Sequence, residues 1–75
     1  MSFKLLECVV LVHDVPAHGL KAGDLGTVVE VYPKGGLEIE FVTCSGDTQA
    51  LVTLDQHDVR KVDAHDLLAA RHMAA

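Results

Sequence analysis

Apolar and polar positions alternate along much of the chain with the period of two that puts successive side chains on opposite faces of a β-strand. The cleanest case is 37–42, where Leu37, Ile39 and Phe41 alternate with Glu38, Glu40 and Val42. It predicts a strand over Leu37–Val42 with the first three side chains inward. Thr48–Leu54 predicts another, with Ala50, Val52 and Leu54 inward and Gln49, Leu51 and Thr53 outward. In Leu25–Tyr32 the parity sets Thr27, Val29 and Val31 against Val28, Glu30 and Tyr32. The charge of Glu30 assigns the first set to the core. Leu6–Val12 is a nearly continuous apolar run, as expected of a strand covered on both faces. Glu7, Val9 and Leu11 share one face and Cys8, Val10 and Val12 the other, which the C-terminal segment is expected to cover.

Between the first two strands, Gly19, Gly23 and Gly26 punctuate a stretch from Gly19 to Tyr32 that turns from loop into strand. His13–Asp24 reads as an ordered loop of about a dozen residues, with Leu20 folding back onto the core. Pro33–Gly36 and Thr43–Asp47 are turns. Asp55–Asp58 reads as one turn of helix and Val59–Val62 as a short closing strand. Asp63 stands where it can cap a helix from Ala64 to about Met73, with Leu67 and Leu68 on its apolar edge.

Register follows from parity, because a one-residue slip sends every core side chain to the wrong face. Phe41 should oppose Ala50, Ile39 should oppose Val52, and Leu37 should oppose Leu54. For the preceding hairpin two registers are open: Glu30 facing Glu40 with Val29 on Phe41, or Glu30 facing Glu38 with Val29 on Ile39. Either sets like charges side by side, at a few tenths to about 1 kcal/mol, and a β-bulge could relieve the conflict. Glu30, Glu38 and Glu40 thus form an acidic outer patch, with Val28, Tyr32, Val42 and Leu51 outward beside it. The bland account is a solvated face whose charges discourage aggregation; the functional one is a dock for a basic surface.

Composition narrows the function. The 75 residues suffice for one domain. They are 49% hydrophobic but only 4% aromatic, so the core is aliphatic and no stacking platform for bases exists. A net charge of −5 and a pI near 5.3 oppose nucleic-acid binding, which draws on a basic stripe. No run approaches the roughly 20 apolar residues that cross a bilayer, and two cysteines, Cys8 and Cys44, are too few for a disulfide scaffold. Cytoplasmic placement with reduced thiols and no membrane association is therefore expected, although geometry could still bring the two sulfurs together. The five histidines lack the paired short spacing of a zinc site. Cys8 is expected to be packed in its strand. The glycine loop opens a strand and lacks the Lys-Ser/Thr of a phosphate cradle. No catalytic residue, metal or cofactor is assigned.

A strand, a long loop, three meandering strands, a helical turn and a closing strand is the order of a small five-stranded SH3-like barrel. The chain also resembles a family of short bacterial proteins catalogued as a domain of unknown function. The resemblance rests on Glu7–Leu11, Asp14–Pro16, the Gly-Leu-x-x-Gly-Asp-x-Gly-Thr-Val-Val pattern of Gly19–Val29, Ile39–Phe41 and Val52–Leu54. It implies a free-standing SH3-like module over 1–62. Residues 63–75 lie outside it, as a short α-helix packed on the barrel or on a neighbouring chain. It further implies companionship with toxin-like genes, hence a regulator, antitoxin or immunity protein.

The expected function is non-catalytic protein binding through the 14–24 loop and the acidic face. The candidate contacts are Asp14, His18, Lys21, Asp24, Glu30, Tyr32, Glu38, Glu40 and Leu51. The alternative is a self-associating structural subunit, a homo-oligomer joined through Leu67, Leu68 and Met73. Nucleic-acid binding is the least favoured reading.

Overall fold

The computed structural model describes residues 2–73. Five strands form one antiparallel sheet: β1 (Cys8–Leu11), β2 (Leu25–Val31), β3 (Gly36–Val42), β4 (Thr48–Asp55) and β5 (Val59–Lys61). Their order across the sheet is β4-β3-β2-β1-β5. The sheet is open: β4 and β5 are its two edges and do not pair with each other, which corrects the expectation of a barrel. Closure requires strands long enough and sheared enough to bring the edges together. Here β1 has four residues and β5 three. The sheet nevertheless curls, so that Val59 of β5 and Ala50 and Val52 of β4 join one core with Val9, Leu11, Val28, Ile39 and Phe41.

The register of β3 and β4 is as parity requires, with Leu37 on Leu54, Ile39 on Val52 and Phe41 on Ala50. Between β2 and β3, Glu30 stands opposite Glu38, one of the two registers left open. The expected inward set of β2 is overturned before the bulge, at Thr27 and Val28, and kept beyond it, where Val31 pairs with the inward Leu37. Val28, not Val29, sits on Ile39, and a bulge lies between Val28 and Glu30. Val28 is fully buried, whereas Val31 is 42% exposed. The extra residue shifts the phase, so both the apolar Val28 and the charged Glu30 reach their preferred surroundings. Gly26 follows from the same packing. A Cβ there would come within 2.5 Å of Ile39 Cγ2 and 2.8 Å of Phe41 Cε1.

The loop before β2 is ordered. Pro16–His18 is a single 3-10 turn, Val15 bridges to Leu20, and Leu20 is buried. Gly19 ends the turn in the left-handed region, φ 68°. A second 3-10 turn, Gln56–Asp58, carries a reciprocal capping box with Asp55. On the opposite face of the sheet Val10 is buried away from the main core, beneath a groove whose other wall is the C-terminal segment.

That segment is not a helix. Its start obeys the capping rule: the Asp63 carboxylate accepts from the His65 amide (2.8 Å), and the Asp66 carboxylate accepts from the Asp63 amide (2.6 Å). One turn forms, closed by the Asp66 amide donating to the Asp63 carbonyl, and the remainder to Met73 is irregular. A helix this short is not self-sustaining, because isolated helices below about 12–15 residues are marginal. Leu67 and Leu68, meant for its buried edge, are 91% and 82% exposed. Ala74 and Ala75, the end of the expected 63–75 element, lie outside the described residues.

Candidate interaction surface

The outer face of the β2-β3-β4 half of the sheet carries three carboxylates. Glu30 of β2 faces Glu38 of β3, and Glu40 lies two positions along, between Thr27 of β2 and Leu51 of β4. β4 supplies two hydroxyls to this row. Thr53 donates to Glu38, and Thr48 Oγ1 donates to Glu40 Oε2 at 2.6 Å. The Tyr32 hydroxyl donates to Glu38 Oε1 at 3.4 Å. Its phenol is pushed above its ordinary pKa, first by desolvation and then by the charges of Glu38 and Glu30. Among the described residues no cation pairs with Glu30, Glu38 or Glu40. Leu51 stands beside Glu40, 54% exposed.

Three of the six Lys and Arg side chains are paired elsewhere. Lys61 Nζ donates to Glu7 Oε2 at 2.6 Å and lies 4.9 Å from the centroid of the Phe3 ring. Arg60 forks onto both carboxylate oxygens of Asp66 at 2.9 and 2.6 Å. Its hydrogen bond, with the Asp63 amide, lowers the Asp66 pKa to about 2. Arg71 forks onto Asp24 at 3.1 and 2.6 Å and also donates to the Gly19 carbonyl at 3.0 Å. Burial pushes Asp24 up, but the Arg71 and Lys21 hydrogen bonds outweigh it and leave the pKa lowered.

The loop candidates therefore divide. Asp14 accepts from the Ala22 amide at 2.9 Å, and Asp24 accepts from the Lys21 amide at 2.8 Å. Both carboxylates hold the loop together. The side chains of His18 and Lys21 remain exposed at its rim. Of the C-terminal candidates, Leu67 and Leu68 are open to solvent, whereas Met73 is half-buried over Gly19. The tail and the sheet face enclose an open groove of about 800 Å³, with Val10, Leu25 and Val42 on its sheet side.

Sequence reasoning missed the two arginine forks. Arg60 and Asp66 are six apart and Arg71 and Asp24 are 47 apart, separations that carry no periodic mark. It also missed His13, whose Nε2 lies 2.6 Å from Asp58 Oδ1 while Nδ1 lies 3.0 Å from the Asp14 carbonyl. Cys8 is exposed, not packed, because it sits on the outer face of β1 opposite Thr27. Both cysteines are free. Among the described residues no group of three or more His, Cys, Asp and Glu side chains is gathered to hold a metal. No helix among them is long and apolar enough to cross a membrane.

A family model described as "Domain of unknown function (DUF4926)" matches residues 5–61. No curated protein and no solved structure matches the chain.

Proposed function

We propose that this chain, which belongs to the DUF4926 family of domains, is a non-catalytic protein-interaction module that receives a basic partner on the acidic outer face of its sheet. The observation that supports this most is the pairing of Glu30 with Glu38. Like charges directly opposite each other destabilise a sheet, and no cation of the chain's own answers them among the described residues. A basic partner would remove that repulsion on binding. Leu51 and the Tyr32 ring supply apolar area beside the charges, the arrangement of an interface with a polar rim. The exposed His18 and Lys21 extend the candidate surface onto the loop, while Asp14 and Asp24 act in its internal support.

The test is affinity capture from the native host with the wild-type chain and a Glu30→Lys, Glu38→Lys, Glu40→Lys variant, both checked for equal folding by circular dichroism. The expected result is a stoichiometric protein retained by the wild type, released by salt and lost by the variant. Equal retention by both chains would remove the acidic face from consideration.

A second reading is favoured by the exposure of Leu67 and Leu68: a subunit that associates with its own copies through the tail. Light scattering of the full chain and of a Leu67→Ser, Leu68→Ser variant separates the two readings. A wild-type oligomer that the variant turns into monomer supports self-association. An unchanged state opposes it.

A further inference from the structure

The two edges of the sheet are unlike. An open edge presents unpaired backbone groups, and natural proteins blunt such edges with short strands, charge, proline or bulges. β5 is blunted, having only three residues, Val59-Arg60-Lys61, with a cation at two of them. β4 runs for eight residues, Thr-Gln-Ala-Leu-Val-Thr-Leu-Asp, without proline and without charge until Asp55. Among the described residues its strand neighbour is β3 alone, and the pairing shifts at its start, where Val42 meets Thr48. The strand is rich in β-prone residues, Leu51 is exposed, and the inward Ala50 and Val52 sit at the rim of the core.

From this we infer that β4 is a β-augmentation site, and that the acidic face described above selects what it takes: an extended segment of a partner protein with basic and apolar residues in alternation. The inference rests on the proposed interaction function and names the partner's chemistry. Backbone pairing with β4 would supply affinity, and alternate side chains would supply selectivity. On the inner face, small apolar residues of the added strand would continue the row of Ala50 and Val52. On the outer face, a Lys or Arg set against Thr53 or Leu51 would lie two strand spacings from Glu38 or Glu40, about 9.5 Å between backbones. That span is within reach of a long basic side chain bending over the short Thr53. The Thr53 and Thr48 hydroxyls already turn Glu38 and Glu40 towards this edge. A second copy of the chain is the weaker occupant, because the β4 sequence has no cation with which to meet the glutamates.

The probe is the peptide acetyl-Lys-Val-Lys-Val-Lys-Val-Lys-amide, titrated into the isotope-labelled full chain. The control is the same peptide with Glu at the Lys positions. The expected result is saturable binding that slows amide exchange along β4. Affinity should fall at least tenfold for the Glu peptide and for a Glu38→Gln, Glu40→Gln variant. Four outcomes overturn the inference. Salt-sensitive binding that leaves β4 exchange unchanged places the acidic face alone in the interface, and the broader proposal then stands without the edge. Equal binding of both peptides removes the charge selection. Protection of β4 that rises with protein concentration in the absence of peptide gives the edge to a second copy. Absence of binding overturns the edge, while the capture experiment decides separately whether the acidic face has a partner.

Discussion

Arg71 grips Asp24 across 47 residues, with Nε and one terminal nitrogen on the two carboxylate oxygens and a further bond to the Gly19 carbonyl. One residue of the tail thereby secures the tail, the turn at Gly19 and the entrance to β2. The tail buries little apolar surface, since Leu67 and Leu68 are exposed, so its position depends on two arginine forks. Arg71→Ala should free residues 67–73 and leave the global stability nearly unchanged, as expected of a partly exposed ion pair. Hydrogen exchange checks this: the tail amides should exchange faster and the β1–β5 amides should not. The Arg60–Asp66 fork should respond to acid. The folded pKa of Asp66 is depressed to about 2 against an ordinary value near 3.9. Its contribution is complete above the ordinary value and lost as pH falls through the folded one. The turn at Asp63–Asp66 should therefore persist at pH 4 and open near pH 2.

Glu30 is predicted to be a stability liability. Glu30→Gln removes the repulsion with Glu38 and leaves the bulge undisturbed, so the chain should gain a few tenths of a kcal/mol. The gain should shrink in high salt, which screens exposed charges. Urea unfolding at low and high ionic strength measures it. A loss of stability at low salt would contradict the like-charge account of this pair.

The bulge makes a phase-sensitive prediction in β2. Val28→Ala deletes two buried methyl groups against Ile39 and should cost about 2 kcal/mol. Val31→Ala, three residues later, should fall within about 0.5 kcal/mol of wild type, as surface changes do. Thermal denaturation of the two variants compares them directly. The opposite order would mean that Val31, which lies opposite the buried Leu37 but at the rim of the sheet, carries more of the core than Val28.

His13 introduces a pH dependence near neutrality. Both of its ring nitrogens face acceptors, the Asp14 carbonyl and the Asp58 carboxylate, and only the imidazolium can donate to both. The Asp14 carbonyl, followed by Asp58, raises its pKa above the ordinary 6.5. A raised folded value means that the stabilisation is full below about 6.5 and is lost as pH rises through the folded pKa. A proton NMR titration should place the His13 midpoint above 6.5. The melting temperature of wild type should fall relative to that of His13→Gln as pH rises from 6 to 8.5. A midpoint below 6.5 would count against the contact.

What the sequence by itself determined is everything governed by local periodicity. The β3 and β4 faces, their register, the turn at Gln56–Asp58 and the burial of Leu20 all follow from spacing and turn chemistry, because a pleated strand leaves each side chain only two directions. The cap at Asp63 was legible for the same reason, and the capping box is there. Tertiary structure decided the rest. A bulge after Val28 reversed the inward set of the first half of β2 and left Glu30 and Val31 on the faces that parity assigns them, since the cost of burying Glu30 or exposing Val28 exceeds that of one irregular pair. That the tail did not continue as a helix was settled by where its side chains could find partners. Arg71 and Asp66 had ionic contacts at a distance, whereas Leu67 and Leu68 had no core to enter. Whether the sheet closed was likewise a global matter, set by a three-residue β5 that pairs with β1 and does not pair with β4. The acidic row could be written down from alternation alone. That it stands without a paired cation among the described residues, next to an eight-residue edge, became visible only once distant arginines had been placed elsewhere.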